Sequence, residues 1–128
     1  MKVVYVAGPF TAPNAWEREL NVRAAENYAM EVAKMGAMPL CPHTNTRFFE
    51  GTCTPEFWYE GTLELLRRCD TMIVLPTWLK SVGTRREFDE AGKLALPVHH
   101  NLQSLSDWLE KWKGRDFRSA PFSSDVGR

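Results

Sequence analysis

The run Thr71-Met72-Ile73-Val74-Leu75-Pro76 is apolar almost throughout and ends on a proline. A strand with polar residues at alternate positions can leave one face in water, whereas this one has to be covered on both. That requires helices above and below a sheet. Strand-like segments at 2–7 (KVVYVA), 37–41 (AMPLC), 71–76 and 97–100 (PVHH) alternate with helix-like segments along the chain. Four such alternations predict a parallel sheet sandwiched between helices. In sheets of this kind ligands bind beyond the carboxyl ends of the strands, where strand order reverses. The loops 8–14, 42–54 and 76–83 lie there and carry nearly all the unusual residues.

Asn14 opens a helical stretch to about Met35, with Gly36 as its stop. Trp16, Leu20, Ala24, Tyr28 and Val32 recur every four residues and form its expected buried face. Pro39 makes the second strand an edge or an irregular one, and residues 41–55 read as a polar loop. Pro55 suits the first position of a helix running to about Arg68, with Trp58, Leu63, Leu65 and Leu66 as its face. Arg67 and Arg68 favour the negative end of that helix dipole. Further helices are expected over about 84–95 and 104–113. Residues 1–113 thus read as a single domain, and 114–128 (GRDFRSAPFSSDVGR) as a loosely held tail.

The 128 residues suit one hydrophobic core. Lys+Arg and Asp+Glu both total 16, so the basic footprint of a nucleic-acid polymer binder is missing. No apolar run approaches the about 20 residues of a membrane span, and MKVVYVAGPF reads as a strand rather than a signal peptide. Cys41, Cys53 and Cys69 are odd in number and lack CxxC spacing, which indicates neither a disulfide framework nor a zinc site. A reducing cytoplasm is the simplest home. With no Walker A or GxGxxG sequence, nucleoside triphosphate hydrolysis and ordinary dinucleotide binding are disfavoured.

The segment KSVGTRREFDEA (80–91) places a carboxylate, Glu87, where two readings compete. Thr84-Arg85-Arg86-Glu87 fits a capping box, with Thr84 as N-cap and Glu87 bonding back to its amide. Yet Glu87 stands four residues before Ala91 and seven before Leu94, in an expected apolar stripe of Ala91, Leu94 and Ala95. A carboxylate desolvated at that end of the helix acquires a raised pKa unless hydrogen bonds favour its charge. Ser81 and Gly83 precede it, and a helix N-terminus with a small residue nearby suits an anion such as phosphate.

Several segments together resemble the nucleoside 2-deoxyribosyltransferase superfamily, with its small members and the 2′-deoxynucleoside 5′-monophosphate N-glycosidases. They are VYVAGPF (4–10), WERELNVRAAE (16–26), CPHTNTRFF (41–49), LELLRRCDTMIVLPTW (63–78) and SVGTRREFDEAGKLALPV (81–98), spanning roughly residues 2–100. The resemblance implies an α/β fold, a flavodoxin-like or Rossmann-like three-layer sandwich with a parallel central sheet. It implies cleavage or transfer of the N-glycosidic bond of a nucleoside or its monophosphate, without metal or cofactor, in a homo-oligomer whose pockets a neighbouring subunit completes. Glu87 matches the family nucleophile, Tyr5 the tyrosine that holds it, and Ser81 the serine that contacts a 5′-phosphate. One position departs. The family aspartate eight residues before the Asp of the RRCD-like segment is Thr62 here, and a threonine is no general acid near neutral pH. Glu60 and Glu64 stand roughly 160° away from it around the helix.

Gly8, Pro9, Phe10, His43, Asn45, Ser81 and Gly83 are the substrate-binding candidates, with Phe10 as a platform on which a base could stack. Arg18 and Arg23 have a solvated helix face as their ordinary place, and Asp70 reads as fixing the helix-to-strand junction. Two other function classes fit the same chain. A nucleotide-binding or regulatory module without turnover is favoured by Thr62, and a flavodoxin-like flavin carrier by the fold alone.

Overall fold

The computed structural model describes residues 1–113; the tail expected over 114–128 lies outside the described residues. Four strands, β1 (Val3–Ala7), β2 (Met38–Leu40), β3 (Thr71–Val74) and β4 (Val98–His99), form one sheet in the order β2-β1-β3-β4. Every pairing is parallel. The helices are α1 (Ala15–Lys34), α2 (Pro42–Asn45), α3 (Pro55–Arg67), α4 (Val82–Lys93) and α5 (Leu102–Glu110), with a 3₁₀ turn at Trp78–Lys80. Strand order reverses between β1 and β3, which leaves a crevice above their carboxyl ends.

Alternation along the two central strands builds a core on each side. Val4, Val6, Ile73 and Leu75 meet Ala25 and Val32 of α1 and Leu105 and Leu109 of α5. Tyr5, Ala7, Met72 and Val74 meet Leu63 and Leu66 of α3 and Ala91 of α4. The result is a three-layer, flavodoxin-like α/β sandwich. Each fully buried side chain such as Leu66 or Ile73 contributes about 1.5–3 kcal/mol relative to exposure. Pro39 sits in an edge strand, where a missing N–H disturbs no second ladder. Asp70 does fix its junction: its Oδ2 accepts from the Val3 amide at 2.7 Å, and its own amide donates to the Val3 carbonyl at 2.9 Å.

Four local expectations need correction. On α1 the buried residues are Val22, Ala25 and Val32, while Trp16 and Leu20 stay exposed. A four-residue spacing advances about 40° per step around a helix with 3.6 residues per turn, so a long i, i+4 row drifts off any one face. The polar loop 41–55 contains one helical turn, α2, started by Pro42. Helix α4 begins two residues earlier than expected, because Ser81 and not Thr84 caps it: Ser81 Oγ accepts from the Thr84 amide at 3.1 Å. That helix also ends at Lys93. Ala95 is left-handed (φ 55°), and Leu94 and Ala95 are exposed rather than part of the stripe.

Candidate active site

A cavity of about 840 Å³ opens at the carboxyl ends of β1 and β3. Strand β1 and its following loop contribute Tyr5, Gly8, Pro9 and Phe10, and α2 contributes His43. Helix α3 adds Trp58, Tyr59 and Thr62, and the start of α4 adds Ser81, Gly83 and Glu87. All the sequence-predicted site residues except Asn45 therefore line one space. Asn45 ends α2 with its side chain exposed and outside this wall, because the unexpected helical turn rotates it away from His43.

The floor is made by Tyr5 and Glu87. Tyr5 is fully buried, and its hydroxyl donates to Glu87 Oε2. The capping alternative is gone: Glu87 lies in the second turn of α4, and Ser81 already holds the Thr84 amide it would have competed for. Protein surrounds the carboxyl on nearly every side, although the residue still opens onto the cavity. Burial pushes its pKa up to about 7, and the Tyr5 hydrogen bond opposes that rise. A carboxyl so placed exchanges its proton near neutrality and presents an anion in a low-dielectric setting. Burial also raises the Tyr5 phenol well above its usual range, the Glu87 charge adds to this, and the Thr62 hydroxyl works the other way.

Thr62 stands on the α3 wall and donates its hydroxyl to the Tyr59 carbonyl at 2.9 Å. The loop after β1 is pinned at three points. Gly8 lies against Leu75, whose side chain would stand 3.1–3.2 Å from any added Cβ. His43 Nε2 is 2.8 Å from the Pro9 carbonyl, which can only accept, so Nε2 carries the proton and Nδ1 is the bare nitrogen, buried with no partner among the described residues. Burial lowers the His43 pKa, and its hydrogen bond to the Pro9 carbonyl opposes that fall. Asn21 Nδ2 donates to the Phe10 carbonyl at 3.1 Å, and the Phe10 ring packs edge-on to His43 at 5.7 Å. Asn21 was missed by sequence reasoning; a polar residue at a half-buried helical position was the available signal.

The segment between α2 and α3 forms the front wall with Thr46, Phe49, Glu50 and Cys53. Ion pairs tie it to α1: Arg47 to Glu19 and Glu26, and Arg18 to Glu50 at 3.7 Å. Arg18 and Arg23 are accordingly engaged by carboxylates, Arg23 with Glu19 at 3.5 Å. Trp58, read from sequence as part of a core face, is instead half-buried on the cavity wall, flanked by Phe49 and Phe57 at ring distances of 6.1 and 5.1 Å. Among the described residues no group of three or more His, Cys, Asp or Glu side chains is arranged to hold a metal ion. No described helix is long and apolar enough to cross a membrane.

Residues 2–100 match a family described as a domain of unknown function, DUF4406. The chain belongs to the DUF4406 family. The fold of this DUF4406 chain is similar to that of a solved 2-deoxyribosyltransferase from the psychrotolerant bacterium Bacillus psychrosaccharolyticus. The TM-score is 0.56 with 19% identity, and the likeness covers 94% of this chain and 99% of the other. At that identity the likeness is one of fold. No curated protein matches the DUF4406 chain.

Proposed function

We propose that this chain is an N-glycosidase or nucleoside deoxyribosyltransferase acting on a (deoxy)nucleoside or its 5′-monophosphate. The observation that carries the reading is the Glu87 carboxyl on the cavity floor with the Tyr5 hydroxyl donating to it. Glu87 attacks the anomeric carbon as the bond to the base breaks, forming a covalent glycosyl-enzyme ester through an oxocarbenium-like transition state. Water then releases the sugar, or a second base accepts it, with net retention of configuration. Tyr5 aligns the carboxylate and favours its ionised form. Phe10 and Trp58 offer aromatic faces to the base, while Ser81 and Gly83 stand where α4 begins and suit a 5′-phosphate.

We extend the reading to a homo-oligomer. Trp16 and Leu20 on α1 and Phe48 and Phe57 near the cavity are exposed, and apolar side chains of this kind suit a subunit interface. Light scattering at micromolar concentration tests this, and a monomer would overturn it. A second reading, a binding module without turnover, rests on Thr62. Assay of base release from a panel of deoxynucleosides and their monophosphates separates the two. Release that disappears in Glu87→Gln supports the enzyme; tight binding with no release supports the module.

A further inference from the structure

A glycosidase of the retaining kind ordinarily sets a second carboxyl about 5–5.5 Å from its nucleophile to protonate the departing group. Among the described residues the cavity wall holds one other carboxyl, Glu50 of the front wall. Thr62 stands on the α3 wall of the same cavity, and its hydroxyl proton is committed to the Tyr59 carbonyl. The Tyr5 proton is committed to Glu87 itself. His43 directs its Nε2–H to the Pro9 carbonyl, and burial lowers its pKa. Glu50 is half exposed and paired with Arg18. Tyr59, its ring covered by the Arg86 guanidinium at 4.8 Å, lies on the same wall. Cys53 and Lys80 are exposed side chains on the segments leading into α3 and α4. One carboxyl cannot both attack the sugar and protonate the base.

We propose, resting on the glycosidic reading above, that the substrates suited to this cavity are N-glycosides whose leaving nitrogen already bears a positive charge, such as N-glycosyl pyridiniums or N7-alkylated purine nucleotides. Glu87 Oε forms a bond to C1′, and the C1′–N electron pair passes to the cationic ring nitrogen, which leaves as a neutral base. No proton is required. Water then adds to C1′, the Glu87 ester bond breaks to return the carboxylate, and one proton goes to solvent. The wall supports a cation as well. Trp58, Phe49 and Phe10 line the cavity, and aromatic rings attract a cation. A positive charge beside Glu87 also pulls its buried carboxyl toward the ionised, nucleophilic form.

The test compares base release by wild type, Glu87→Gln and Thr62→Asp from three probes. These are 2′-deoxyguanosine 5′-monophosphate, its 7-methyl derivative and nicotinamide mononucleotide, each corrected for spontaneous cleavage. A positioned general acid contributes about 10²–10⁴-fold. Wild type should therefore release a cationic base at least about 100-fold faster than neutral guanine, and Thr62→Asp should shrink that ratio by a comparable factor. Comparable release of methylated and unmethylated guanine by wild type, or a ratio unmoved in a folded Thr62→Asp protein, overturns the inference and leaves the glycosidic reading standing. Absence of release above the Glu87→Gln background from every probe and from the panel of neutral deoxynucleotides overturns both. Should Thr62→Asp fail to fold, the wild-type pH profile decides. With the cationic probe the rate should rise through the ionisation of Glu87 and then stay level to about pH 9, whereas a falling limb would reveal an acid.

Discussion

The Tyr5 hydroxyl donates to the Glu87 carboxylate across 82 residues of sequence, from the middle of a central strand to the second turn of α4. This bond joins two layers of the sandwich on the cavity floor and opposes the burial that raises the Glu87 pKa. Four predictions depend on it and on the turns around it.

Glu87→Gln keeps the shape of the side chain and removes one carboxylate oxygen and the charge. Base release should fall to background, because an amide forms no glycosyl ester. The protein should remain folded and ligand-competent by calorimetry. Wild-type rates in the Glu87→Gln protein would refute the assignment.

The pH dependence of stability has a definite sign. Glu87 ionises near 4.5 in the unfolded chain and about 7 in the folded protein, so the folded state binds the extra proton between those values. Stability contributed by this group is therefore lost as pH rises from about 4.5 through 7, by up to about 3 kcal/mol. His43, whose pKa burial lowers, acts in the opposite direction. Wild type minus Glu87→Gln isolates the carboxyl. Urea titrations at pH 5 and pH 8 should show the Gln variant gaining on wild type at the higher pH.

Tyr5→Phe deletes the donor that opposes the rise in the Glu87 pKa. The acid limb of the pH–rate profile should move to higher pH, with about tenfold less ionised carboxylate on that limb for each pH unit. An unchanged limb would mean that the phenol does not act on Glu87 in solution.

Glycines and the cap make opposite demands on stability. Gly8→Ala forces a Cβ to within 3.1–3.2 Å of Leu75 and should cost about 1–3 kcal/mol. At Gly83 an added Cβ meets only Ser81 Oγ at 3.9 Å, so Gly83→Ala should hold or gain stability. Ser81→Ala removes the acceptor for both the amide and the hydroxyl of buried Thr84 and should cost about 0.5–2 kcal/mol. Thermal melts of the three variants check the order.

The sequence by itself determined the layers. An apolar run too long to leave one face in water, set among alternating strand and helix signals, leads to a parallel sheet covered twice. Pro39 at an edge, Pro55 opening α3 and Asp70 at its junction were legible for the same reason, since each acts through its own backbone neighbours. Tertiary structure decided the rest. Which stripe of α1 is buried follows from where the sheet lies, and an i, i+4 row alone cannot report it. That Ser81 rather than Thr84 caps α4 is seen only in the structure, since either residue is chemically able to cap. Trp58 and Asn21 acquired their places from how α3 and α1 meet the loops beside them, and Asn45 lost its own to the helical turn α2. The Glu87 carboxyl takes its unusual pKa from desolvation, which exists only once β1, α3 and α4 close around it.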